Sequence, residues 1–259
     1  MQDDNGHNNG KNRDETPNTT PNKTMGADSN IIRFQRRPKN NKTGRNANAQ
    51  THDDHAPLIN LPPVTKWMIA SFVVVQLIMS FALSPEWQYW VMAHLGFVPA
   101  YYTGQFGFGW PMIVGPFTYM LIHGGWLHVG LNSVMMMAFG AGCERALGAK
   151  RMVVLFVLCG LAAAAFHMAL NWGSEAPVIG ASGSISGLFA AIMLILYAQN
   201  PGGMGGKYGL WPFILLWIVI SVAFGSMGGP GGSTIAWAAH IGGFIAGFAF
   251  FPLVMRLKI

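Results

Sequence analysis

The chain has 259 residues, 51% of them hydrophobic and only 10% charged, with a formal net charge of +6 and nine Trp. Its charged share is well under half of the roughly 25% usual in soluble domains. That excludes an ordinary soluble globular protein and points to a membrane protein. Cys143 and Cys159 fall at or within apolar runs and have no CxxC or His partner spacing. This argues against a disulfide framework or a zinc site and leaves free thiols as the expectation.

Composition divides the chain near residue 60. Residues 1–60 are polar, rich in Asn, Asp, Thr and Lys, and nearly balanced in charge. Such a segment buries too little apolar surface to offset the entropy of ordering, so a disordered polar cytoplasmic tail is expected. It has no apolar core near Met1, so it does not read as a secretory signal peptide. Residues 61–259 read as a membrane domain. Six apolar runs approach the ~20 residues that a bilayer requires, at about 65–83, 117–142, 151–171, 182–198, 210–225 and 235–255.

All 16 Lys and Arg fall before the first run (ending at Lys66), between the second and third (Arg145, Lys150, Arg151), between the fourth and fifth (Lys207), or after the sixth (Arg256, Lys258). The alternate set of loops has none. By the positive-inside rule this predicts six spans with both termini cytoplasmic. The net positive charge then reads as topology and contact with anionic lipid heads, rather than nucleic-acid binding.

The first span has no ionisable residue after Lys66 and reads as scaffold. The outer segment 84–116 holds nine aromatic residues among Trp87 to Trp110, and Glu86 is its only charged residue. Aromatics with polar tips favour the headgroup zone, so this segment is expected to lie in the outer interface. Within the second span stand His123, His128 and Asn132. If the span is one helix, His128 and Asn132 share a face and can aim side-chain N–H groups at one oxygen. His123 then lies about 140° round the helix and reads as structural. Glu144 and Arg145 read as end pairs at the cytoplasmic turn. The Gly-rich loop 225–234 reads as a mobile cap, or equally as a plain flexible turn.

The chain is organised around Gly180-Ala181-Ser182-Gly183-Ser184-Ile185-Ser186-Gly187, at the head of the fourth span. Its small residues suit tight helix packing, but a Ser at a helix N-terminus also sits beside backbone N–H groups unpaired within the helix. The sixth span supplies His240, Gly243 and Gly247 at i, i+3 and i+7 on one face. Gly243-xxx-Gly247 and Gly183-xxx-Gly187 are matched small-xxx-small seams. If they pack, His240 comes to Ser182 on the outer side, making a nucleophile, a base and a donor pair.

Over about residues 64–258 the chain resembles the rhomboid family of intramembrane serine proteases. The family's Gly-x-Ser-Gly appears as Gly180-Ala181-Ser182-Gly183, its Ala-His-x-x-Gly as Ala239-His240-Ile241-Gly242-Gly243, and its His-x4-His-x3-Asn as His123, His128 and Asn132. The resemblance implies an all-α, polytopic six-helix bundle. It assigns Ser182 as nucleophile and His240 as general base, with His128, Asn132 and the Ser182 backbone N–H forming an oxyanion hole. His123, Gly180, Gly183, Gly243 and Gly247 are structural. There are two departures. The family's Trp-Arg pair in the first outer loop is absent, Trp110-Pro111 being the nearest feature. Ser186 stands where some members stack an aromatic ring on the base.

Residues 64–259 contain only three acids, Glu86, Glu144 and Glu175, which suggests a Ser–His dyad rather than a triad. The expected activity is hydrolysis of transmembrane segments of single-pass membrane proteins, without metal or cofactor, in a lipid bilayer that is expected to be a bacterial inner membrane. The rivals are an inactive rhomboid-like client binder and, more remotely, a multi-span transporter. No acid within the spans supplies the ion relay that a transporter needs.

Overall fold

A computed structural model describes residues 60–200, 206–227 and 237–259. The expected tail over residues 1–60, apart from Asn60, and most of the expected cap over 225–234 lie outside those residues. Among the described residues there is no strand, only an isolated antiparallel bridge between Phe97 and Val178. The α-helices are α1 Pro63–Leu77, α2 Pro85–Leu95, α3 Pro111–Thr118, α4 Trp126–Met135, α5 Ala141–Leu147, α6 Ala149–Leu170, α7 Ser182–Gln199, α8 Trp211–Met227 and α9 Trp237–Met255. Among the described residues, four helical runs are long and apolar enough to cross a membrane: Pro63–Ala82, α6, α7 and α9. The helix α8 has 17 residues. The remaining expected span is a composite in which α4 and α5 are joined by a π-helical turn over Met136–Gly140.

That composite corrects the sequence expectation of one helix from 117 to 142. The helix α3 stops at Thr118, a 3-10 turn covers Tyr119–Leu121, and α4 starts only at Trp126. Gly125 opens α4 at φ +146, a conformation that L side chains rarely adopt. His123 therefore precedes α4, and the 140° separation inferred from a continuous helix does not apply. The outer segment 84–116 is also more ordered than a loop, since it carries α2, a 3-10 turn over Pro99–Thr103 and the start of α3.

The centre of the fold is the packing of α6, α7 and α9. Small residues let these backbones approach closely, which supplies van der Waals contact where lipid gives no hydrophobic drive. A Cβ placed on Gly243 would strike the backbone carbonyl of Gly183, one on Gly247 would strike that of Gly187, and one on Gly183 would meet Ala163. The side chain of Cys159 presses on Gly187 from α6, while Phe166 covers Gly242. Both cysteines are buried free thiols.

Glu144 departs from its expected pairing with Arg145. Its Oε1 accepts from the Val64 N–H at 3.0 Å, and its Oε2 accepts from the Thr65 N–H and hydroxyl, both at 2.7 Å. A carboxylate from α5 thus caps α1 and satisfies N–H groups that have no intrahelical acceptor. Arg145 instead donates to the Asn60 carbonyl.

Candidate functional site

The chain turns into α7 at Gly180, whose φ of +110 and lack of a side chain meet two demands at once. A Cβ there would collide with the His128 imidazole. The Gly180 N–H donates to the Tyr119 carbonyl at 2.8 Å, while the Tyr119 hydroxyl donates to the Gly160 carbonyl of α6 at 2.8 Å. Tyr119 thereby ties the approach to α7 into the core. No local motif in the sequence singles this tyrosine out, because its partners lie 41 and 61 positions away.

Ser182 is the first residue of α7 and Ala181 its N-cap. The first N–H groups of a helix have no intrahelical acceptor and point out of its end. The seam that joins α7 to α9 sets the height of His240, and its Nε2 lies 2.7 Å from Ser182 Oγ. With the imidazole proton on Nδ1, the hydroxyl donates to Nε2, the arrangement that a general base requires. Among the described residues no carboxylate hydrogen-bonds His240. Ser186 turns inward, with its hydroxyl donating to the Ser182 carbonyl at 2.7 Å. Among the described residues no aromatic ring stacks on His240.

The third group comes from α4. The Gly124 N–H donates to His128 Nδ1 at 3.3 Å, so the neutral ring carries its proton on Nε2, the atom that lies against Gly180. The turn before α4 thus makes His128 a hydrogen-bond donor on the site side, a role for Gly124 that the sequence reading missed. Asn132 is buried, and its Nδ2 donates one proton to the His128 carbonyl at 3.0 Å, leaving one N–H. His123 is buried, with Nδ1 3.2 Å from the Leu121 carbonyl and its ring packed edge-on against His128 at 5.1 Å and tilted against Phe72 at 5.2 Å. It supports the His128 ring from behind. Gly183, Gly243 and Gly247 lie in the seam itself.

A family model described as Rhomboid domain matches residues 111–257, more than half of the chain. Over 137 residues the chain is 31% identical to RHOMBOID-like protein 5 of Arabidopsis thaliana, covering 53% of this chain and 42% of that protein. It is 29% identical over 149 residues to Rhomboid protease AarA of Providencia stuartii, covering 49% of this chain and 51% of that protein. It is 29% identical over 142 residues to Rhomboid-type serine protease 2 of Emericella nidulans, covering 53% of this chain and 26% of that protein. The aligned stretches span about half or less of the length of these relatives.

Proposed function

The chain belongs to the rhomboid family and is an integral membrane protein, and from that premise we propose that it is an intramembrane serine endopeptidase working through a Ser182–His240 dyad. The observation that carries this reading is the 2.7 Å contact between Ser182 Oγ and His240 Nε2 at the head of a buried helix. Two of the relatives bear protease names, which supports the reaction class.

In the proposed reaction Ser182 Oγ attacks the scissile carbonyl carbon as His240 Nε2 takes the hydroxyl proton. The tetrahedral oxyanion receives hydrogen bonds from the Ser182 backbone N–H, His128 Nε2–H and the remaining Asn132 N–H. Collapse breaks the C–N bond, His240 gives its proton to the leaving amine, and water then hydrolyses the acyl-enzyme with His240 again as base. The reading is a dyad because no carboxylate among the described residues hydrogen-bonds His240, and two of the three acids there are engaged elsewhere. Glu144 is committed to α1, and Glu86 accepts from the Ser84 hydroxyl at 2.5 Å. That short bond lowers the Glu86 pKa from the usual carboxylate value.

The substrate class is the one that membership of the family implies. We propose that the substrates are transmembrane segments of single-pass proteins, whose helical carbonyls must be freed before attack. We place six spans in the bilayer with both ends of the chain on the cytoplasmic side, which puts the dyad toward the outer face. The relatives come from a plant, a bacterium and a fungus, so the family does not single out the expected bacterial inner membrane. Access between the composite α4–α5 span and α8 fits the aromatic contacts there: Phe139 meets Phe189 at 4.7 Å, and Phe189 meets Trp217 at 4.9 Å. Cross-linking α8 to that span abolishes cleavage on this account, whereas undiminished cleavage refutes lateral access. The protease reading is tested with a generic single-pass substrate and purified protein, in detergent and in liposomes. Cleavage by the wild type and none by Ser182→Ala is expected. If neither protein cleaves in either medium, the client-binding reading replaces it.

A further inference from the structure

A cavity of about 350 Å³ lies far from Ser182, where the C-terminal end of α7 faces the N-terminal end of α8. It is lined by Tyr197, Lys207, Tyr208, Gly209, Leu210 and Trp211. The 3-10 turn Gly206–Tyr208 forms one wall and holds the Lys207 ammonium 4.9 Å from the centroid of the Tyr208 ring. Lys207 is the only cation between the fourth and fifth apolar runs, and among the described residues no carboxylate pairs with it. Of the three acids in the described residues, Glu144 is bound to α1, while Glu86 and Glu175 lie on the outer side in the proposed topology. An ammonium with no carboxylate beside it among the described residues, in a cavity lined by two tyrosines at a membrane surface, is suited to a phosphate.

A second feature selects a lipid over a free anion. Trp211, Leu215 and Val219 are exposed by 73%, 62% and 55% and follow at i, i+4 and i+8, so they form one continuous stripe along α8 that starts at the cavity rim. Head-group chemistry at the rim and acyl-chain chemistry below it occur in the order in which a phospholipid presents them. We propose that this cavity binds the head group of an anionic phospholipid of the cytoplasmic leaflet, phosphatidylglycerol being the type tested. Lys207 holds the phosphate, and one acyl chain lies along the Trp211–Val219 stripe. Because α8 is the helix beside which substrates are proposed to enter, the lipid fixes the cytoplasmic end of that helix and leaves its outer part free to move.

The test reads lipid retention and not proteolysis, so its failure is separate from any failure of the protease reading. Detergent-purified full-length protein is titrated with short-chain phosphatidylglycerol, short-chain phosphatidylcholine and inorganic phosphate, with binding followed by native mass spectrometry. One phosphatidylglycerol is retained in preference to phosphatidylcholine. Lys207→Gln weakens it about fivefold, the loss of one cation's attraction near a lipid surface. Lys207→Arg retains it, and Lys150→Gln, which removes another cytoplasmic-side cation, leaves it unchanged. Trp211→Ala, made independently of the lysine, also weakens it. The proposal is overturned if Lys207→Gln and wild type bind alike, or if Lys150→Gln weakens binding as much, which would reveal a diffuse charge effect. It is equally overturned if millimolar inorganic phosphate displaces the lipid, which would mark a simple anion site.

Discussion

Two neighbours of α7 meet it in opposite ways. The helix α9 lies on it through glycine, so closely that Gly243 and Gly247 abut the carbonyls of Gly183 and Gly187. The helix α8 meets it through large side chains: Trp217 lies 4.9 Å from Phe189, and Ile214 and Trp217 pack over a cluster of Ala190 and Met193 from α7 and Phe244 from α9. Backbone against backbone permits essentially one register, whereas side chains against side chains permit several rotameric solutions. The rigid contact is the one that carries His240 to Ser182. The softer contact borders the route proposed for substrate. Precision and movement are thus assigned to different faces of one helix.

The largest way to break the rigid half is chemical. Ser182→Ala or His240→Ala is expected to lower cleavage by about 10³-fold or more, and the double variant to be no worse than either alone, because the two act as one unit. This is checked by initial rates on a single-pass substrate. Next come the donors. His128→Ala is expected to lower kcat by about 10²-fold with KM nearly unchanged, as for loss of one oxyanion-hole donor. A rise in KM with kcat unchanged would mean that His128 binds substrate uniformly instead.

The seam can be tested without touching the dyad. Gly243→Ala puts a methyl group into the Gly183 carbonyl, and forcing it in is expected to cost about 1–3 kcal/mol in stability along with most of the activity. Thermal unfolding in detergent, measured beside the cleavage rate, checks this. The smallest expected effect sharpens the comparison from the other side. The Trp217 indole N–H is buried without a partner among the described residues. Trp217→Phe removes that unsatisfied donor and keeps a ring against Phe189, so stability should change by no more than about 1 kcal/mol. A loss as large as that of Gly243→Ala would show that α8 is held as tightly as α9.

Much of this arrangement is legible in the sequence because its signals are local. The i, i+3, i+7 spacing of His240, Gly243 and Gly247, and the matched pair Gly183 and Gly187, name the seam before any coordinates. Helical runs 63–82, 149–170 and 182–199 lie close to their expected bounds for the same reason. What escaped is non-local. Glu144 looked like an end pair with its neighbour Arg145, but its partners Val64 and Thr65 are about eighty residues away. His123 looked helical because the apolar run is continuous from Pro116 onward. The backbone nevertheless breaks at Ile122–Gly125, where Gly125 takes a conformation that composition alone does not announce. That break matters for the site, since it puts the Gly124 N–H on His128 Nδ1. Nothing local to the sequence singles out Tyr119, whose value lies in the two long-range hydrogen bonds it makes.

The most direct measurement is covalent. Purified protein is treated with a fluorophosphonate, digested, and the modified residue located by peptide mass spectrometry. The dyad account predicts a single adduct on Ser182, absent from both Ser182→Ala and His240→Ala. An adduct on Ser184 or Ser186, or labelling that persists without His240, would contradict it.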